Sequence, residues 1–274
     1  MKARPTPREA AEVRGADVLG GGRVMVGIDR RSALISAAGA GAAAWGVAAG
    51  TAAAAPPVRS ARQPLRVHIV AFDGAEELDV FGPLEVFGAA ASMGLPVRPL
   101  LVTSGGPGRV TASFGTDIAV PGAWDPRAAD VIVVPGGGFR NRQAPGVWAE
   151  IAKGVLTREL RRAERPSLTL LGVCTGVIVL HAAGVVGDRP CTTHHRAQQY
   201  LKDQGADVRT VRVVDDGNLV CAGGVSSGVD GSLWLLEREL GSQAATAVEA
   251  LMEYERRGTV LRTAAAPVAG QRRG

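Results

Sequence analysis

The sequence predicts an α/β fold, a mainly parallel sheet sandwiched by helices, and three observations carry that prediction. Short, almost wholly apolar runs at residues 67–72, 130–134 and 168–173 each stop at a turn, as strands buried on both faces do. Stretches with helical spacing separate these runs, the pattern of strand–helix–strand units. One antiparallel signal, Asp216-Gly217 between two apolar runs, adds a hairpin.

Taken in order, residues 67–72 form a strand ended by Asp73-Gly74. Residues 82–93 have helical spacing, with Leu84, Phe87, Ala90 and Ala91 on one face and Gly94 as the stop. A strand at 97–103 leads into the loop Ser104-Gly105-Gly106-Pro107-Gly108, and the strand at 130–134 ends in Pro135-Gly136-Gly137-Gly138. Residues 147–162 read as one amphipathic helix, with Trp148, Ile151, Val155 and Leu156 inward and Arg158, Arg161 and Arg162 outward. After the strand at 168–173 comes a helix at 175–183, stopped by Gly184. Apolar runs at 208–214 and 218–222 flank the hairpin turn, and helices at 228–240 and 243–257 close the domain. The reading is therefore a single domain over residues 65–260, with 261–274 as a C-terminal tail. It contains no internal repeat and no helix-turn-helix.

Composition sets the N-terminal part of the chain of 274 residues aside. No charged residue stands between Arg31 and Arg59, and 13 of the 23 positions from Ala33 to Ala55 are Ala. An arginine pair, Arg30-Arg31, precedes this run, and small residues follow at Ala52-Ala53-Ala54-Ala55. That order is the signature of an export signal of the twin-arginine type, cleaved after Ala54 or Ala55. Residues 1–55 are thus an extension plus signal peptide, with translation starting at Met1 or Met25. An uncleaved membrane anchor is the weaker alternative, because an Ala/Gly run inserts poorly beside one rich in Leu, Ile and Phe. After cleavage no stable membrane association is expected. Seven basic and four acidic residues precede position 56, so the remainder carries 24 against 22, a net charge of +2. A near-neutral domain without a basic stripe is not built to bind nucleic acid.

One turn concentrates the chemistry. Gly172-Val173-Cys174-Thr175-Gly176 joins an apolar strand directly to a helix, the pattern of a nucleophile elbow with Cys in the reactive place. The glycines let neighbouring backbone pass while the central residue is held strained and exposed. The N-terminus of the following helix favours thiolate, the reactive form. Pro135-Gly136-Gly137-Gly138 stands at the carboxyl end of another parallel strand, where open α/β sheets bind ligands. Backbone N–H groups at Gly137 and Gly138, with that of Thr175, form a candidate oxyanion hole. Asp79 follows the first strand at its carboxyl end and can reach the same cleft. Its alternative reading is a solvated loop carboxylate or a cap before Gly82-Pro83, and Glu85 on the next helix is another candidate acid. His194 and His195 are adjacent, so their side chains are expected to point apart, and no partner cluster joins them. No metal or organic cofactor is expected. His68 and His181 lie in strand and helix patterns and read as structural.

At this point the residues resemble a known family. Glu77-Leu78-Asp79-Val80-Phe81-Gly82-Pro83-Leu84-Glu85, the Pro-Gly-Gly turn, Val-Cys-Thr-Gly, Thr192-Thr193-His194 and Gly223-Gly224-Val225-Ser226-Ser227-Gly228 occur in the order found in the ThiJ/PfpI superfamily. The resemblance is closest to its isonitrile-hydratase-like branch and covers residues 65–260. It implies a flavodoxin-like, class I glutamine amidotransferase-like domain acting on a small-molecule substrate as a homodimer. It also implies roles: Cys174 as nucleophile, Asp79 as the acid beside it, Thr175 as a neighbouring hydroxyl and His194 as a nearby histidine. The reaction implied is hydration of isonitriles to N-substituted formamides through a thioimidate on Cys174. Other Cys-dependent activities of the superfamily (glyoxalase- or deglycase-like, amidase, peptidase) and a non-catalytic small-molecule-binding domain remain open beside it. His195 stands where this branch usually has Trp. Cys191 and Cys221 stand where small or hydroxyl residues are usual, and in an oxidising compartment the two are candidates to pair.

Overall fold

A computed structural model describes residues 63–263; the export signal read above lies outside them. The first unit runs β1 (Leu65–Val70), α1 (Glu77–Ser92), β2 (Val97–Thr103). A small hairpin, β3 (Gly108–Thr111) and β4 (Asp117–Val120), and the two-residue β5 (Gly122–Ala123) follow. Next come β6 (Val131–Val134), α2 (Val147–Lys153), α3 (Val155–Ala163), β7 (Thr169–Val173) and α4 (Gly176–Ala182). The chain then passes through β8 (Pro190–Cys191), α5 (Gln198–Asp203) and β9 (Asp207–Val208). It closes with β10 (Val213–Asp216), β11 (Leu219–Ala222), α6 (Ser227–Leu240), α7 (Ser242–Leu251) and β12 (Val260–Arg262).

Eight strands form the main sheet in the order β12-β10-β11-β7-β6-β1-β2-β5. Every pair is parallel except β10–β11, the hairpin read from Asp216-Gly217. The sheet is sandwiched as expected. Helices α1, α6 and α7 pack together on one side, and α2, α3 and α4 pack together on the other. Strands β1, β6 and β7 are buried at nearly every residue, which is why their sequences are apolar without alternation. β1 lies between β2 and β6, so the chain leaves β1 toward one side and later returns on the other. That reversal opens a crevice at the carboxyl ends of β1 and β6. No described helix is long and apolar enough to cross a membrane.

Four local expectations change. The first helix begins at Glu77, not Gly82, because the Glu76 side chain caps it by accepting the Asp79 N–H at 3.1 Å. Pro83 is carried inside that helix, where it cannot donate to the carbonyl of Asp79. The helix read over 147–162 is two helices, because Gly154 takes φ 67° and ends α2, leaving Val155 39% exposed. The last helix stops at Leu251 rather than continuing to residue 257. Leu261 and Arg262, read as tail, belong to the edge strand β12, which pairs with β10 through Val214↔Leu261 and Asp215↔Arg262.

Candidate active site

Cys174 sits between β7 and α4 with φ 55°, a left-handed conformation that among the described non-glycine residues recurs only at Glu253. Such strain persists only where surrounding structure over-determines it. Here the Cys174 N–H donates to the Ala222 carbonyl at 2.9 Å, and the Thr193 hydroxyl donates to the Cys174 carbonyl at 2.7 Å. Gly176 completes the elbow, since a Cβ there would lie 2.0 Å from the carbonyl oxygen of Val134. The strained turn is therefore present. The exposure expected with it is not, as Cys174 is only 5% exposed.

Asp79 is not a solvated loop carboxylate. It occupies the first turn of α1 and is fully buried. Its Oδ2 accepts the Gly136 N–H at 2.9 Å, while Oδ1 has no regular hydrogen-bond partner. Burial, and next the charge of Glu76, push the Asp79 carboxyl well above the usual carboxylate range. Burial, and next the charge of Asp79, push the Cys174 thiol up as well. The backbone N–H groups of Val225 and Thr175 act on the sulfur in the opposite direction, toward thiolate. Two buried acids side by side do not both ionise, so the pair carries at most one negative charge and titrates as a unit. The sequence expectation of a thiol lowered by its helix is corrected accordingly: α4 has only seven residues, and burial outweighs it. The two N–H donors lean toward thiolate, but the net direction at the sulfur is upward.

The glycine turn does a different job from the one read in the sequence. The Gly136 N–H holds Asp79, and the Gly137 N–H donates to the Thr175 hydroxyl at 3.0 Å. Gly137 is thus already engaged and is not a free oxyanion donor. Close approach explains the glycines: a Cβ at Gly136 would come within 2.4 Å of Thr175 Oγ1 and 3.0 Å of Asp79 Oδ2. Thr175 therefore serves twice, its hydroxyl fixing the turn and its N–H facing the sulfur. Gly137 and Gly138 line a cleft of about 720 Å³ with Glu76, Phe114 and Phe139 among its walls. Phe114, at the tip of the β3–β4 hairpin, is 82% exposed.

On the other side, His194, Gly224 and Val225 line a second cleft of about 420 Å³. Cys174 lines neither cleft. Val225 joins it to the second through its N–H, and Thr175 joins it to the first through Gly137. His194 Nδ1 accepts the Arg196 N–H at 3.2 Å, which caps a short turn, and burial lowers its basicity. Its ring lies 4.3 Å from that of His195 at 33°, so the two rings stack rather than point apart. The residue of this segment that holds the elbow is Thr193. Glu85 is exposed on α1 and lies away from the pair. His68 and His181 have basicity lowered by burial, in β1 and α4. Among the described residues no group of three or more His, Cys, Asp and Glu is placed to hold a metal ion. Cys191 and Cys221 are buried free thiols.

Three participants escaped the sequence reading: Glu76, Thr193 and Val225. Thr193 and Val225 lay inside motifs already singled out. Glu76 was signalled only by its place ahead of an acidic helix start, a weak capping cue.

Residues 65–238 match the DJ-1/PfpI family. The chain is 30% identical to an isonitrile hydratase of Pseudomonas putida over 192 residues, covering 69% of this chain and 78% of that protein. It is 28% identical to a deglycase of Thermococcus kodakarensis over 179 residues, covering 64% of this chain and 96% of that one. Among solved structures, a ThiJ/PfpI family protein from Pseudomonas syringae superposes with a TM-score of 0.61 at 24% identity, covering 71% of this chain and 76% of that one. The parallel sheet, the strained cysteine elbow and the matched span agree: this chain belongs to the DJ-1/PfpI family.

Proposed function

We propose that this protein is a cysteine-dependent hydratase that converts isonitriles to N-substituted formamides. The observation that carries the reading is the buried Asp79–Cys174 pair, a nucleophile and a proton-holding carboxyl placed together away from water. Cys174 thiolate adds to the terminal carbon of the isonitrile, and Asp79 gives that carbon its proton, forming a thioimidate. Asp79 then takes a proton from the attacking water and passes it to nitrogen. It finally takes the remaining hydroxyl proton as the carbonyl forms and the thiolate leaves. Atoms balance with one water per turnover, and Asp79 and Cys174 return to their starting states. The cleft that Thr175 reaches through Gly137 offers Phe114, Phe139 and Pro145 for an organic substituent, beside the charged Asp73, Glu76 and Arg140.

The similarity to an isonitrile hydratase supports this reading, and the similarity to a deglycase supports a second. In the second, the same thiolate attacks a carbonyl carbon. Incubation of the mature domain with cyclohexyl isonitrile and, separately, with methylglyoxal, followed by product identification, decides between them. Formamide from the first substrate and no turnover of the second is the expected result. Lactate formation without formamide would replace the reading. We propose further that the chain is exported through the signal over residues 1–55 and works as a homodimer. Immunodetection of the tagged full-length chain in culture medium, and light scattering of the mature domain, check these two points.

A further inference from the structure

Glu76 touches both the buried acid and the open cleft. Its Oε2 accepts the Asp79 backbone N–H at 3.1 Å, and its own N–H donates to the Gly136 carbonyl at 2.9 Å. Glu76 is therefore tied to the same turn whose N–H holds Asp79 Oδ2. Its side chain is partly exposed and lines the 720 Å³ cleft, whereas Asp79 is fully buried. The groups that face Asp79 come from three places. Glu76 lies just before α1, the Gly136 N–H belongs to the turn after β6, and the Cys174 thiol belongs to the elbow after β7. The sulfur meets Asp79 and the N–H groups of Val225 and Thr175. A negative charge at Glu76 thus bears first on Asp79.

We propose that Glu76 is a positioning residue for the shared proton: its carboxylate keeps that proton on Asp79 and leaves the negative charge of the pair on the sulfur of Cys174. The physical cause is like-charge repulsion across a partly buried cap. An ionised Asp79 would stand beside an ionised Glu76, while a thiolate at Cys174 has two N–H donors and a neutral neighbour. Burial raises the Glu76 carboxyl too, as does the charge of Glu77, and the backbone N–H groups of Asp79 and Leu78 offset part of that rise. Glu76 touches no reacting atom in this scheme and acts through Asp79. The inference rests on reading Asp79 as the acid, and it adds what sets that acid's protonation.

The test reads the thiol rather than the product. Cys174 alkylation by iodoacetamide is followed against pH, with the site confirmed by mass spectrometry, in wild type, Glu76→Gln, Asp79→Asn and the double variant. Gln keeps an oxygen to accept the Asp79 N–H, so the cap survives and only the charge is lost. Glu76→Gln should move the alkylation midpoint upward and slow reaction at neutral pH by about tenfold, the change that one pKa unit produces. In the Asp79→Asn background the same substitution should leave the midpoint where it was. An unchanged or lowered midpoint in Glu76→Gln overturns the proposal. So does an equal upward shift in both backgrounds, which would mean that Glu76 acts on sulfur directly. The substrate reading fails separately: if wild type makes no formamide yet the midpoint shifts as stated, isonitrile hydration is lost and the role of Glu76 stands.

Discussion

Cys174 follows the end of β7 and Cys221 lies on its neighbour β11, directly opposite Gly172, and both thiols are buried and pushed up by that burial. Only their surroundings tell them apart. Cys221 continues β11 in regular strand conformation, and after burial its thiol is affected most by another thiol, Cys191, and then by one backbone N–H, that of Thr192. Cys174 breaks its strand at φ 55°, couples to a buried carboxyl and receives two backbone N–H groups. Burial alone makes a cysteine inert. The reactivity proposed for the elbow rests on a neighbour able to hold the proton and on donors able to hold the charge.

That contrast can be broken by substitution, and the largest effect is expected at the nucleophile. Cys174→Ala should reduce formamide production to the uncatalysed background and remove the fast-alkylating thiol. Persistence of turnover would end the nucleophile assignment. Asp79→Asn comes next, with a loss of about 10²–10⁴ in kcat, the range a positioned acid supplies. Gly136→Ala should follow. Its methyl has to displace Thr175 and the Asp79 carboxylate, which costs about 1–3 kcal/mol of stability by overpacking and a drop in kcat, both measurable on one preparation. Cys221→Ala is the smallest, a loss of about 1 kcal/mol in urea unfolding with unchanged turnover. An activity loss there would erase the distinction between the two cysteines.

The pair also leaves a mark on stability. The folded carboxyl of Asp79 binds its proton more tightly than the unfolded one. Its contribution is therefore full below about pH 4, the unfolded value, and is lost as pH rises through the folded one. Denaturation midpoints of wild type should decline with rising pH, and Asp79→Asn, which cannot ionise, should flatten that decline. An identical slope in both proteins would show that Asp79 is not held protonated by the fold.

Much of this was legible in the chain. The buried strands announced themselves because both faces are covered and every position is apolar. The elbow announced itself because only glycine permits the close approach at Gly176. Other features were not legible, for reasons that are physical. The β3–β4 hairpin is four residues a side and mixed in polarity, below what periodicity resolves. Gly154 sits inside an otherwise amphipathic pattern, where only its backbone angle marks the break. The Gly137 N–H was assigned to an oxyanion because sequence shows a donor but not the hydroxyl that already occupies it. His194 and His195 were expected to diverge, and a short turn stacks them instead.

By itself the sequence determined the layered architecture, the place of the strained cysteine turn and the family, since each is written in local patterns of apolar residues and glycine. Only the tertiary structure decided that Asp79 is buried against the thiol, that the glycine turn clamps Asp79 and Thr175, and that Val225 and Glu76 belong to the site. Those facts depend on which residues four separate strand ends bring close together and shield from water. Charge and burial are properties of that convergence, not of any segment that enters it.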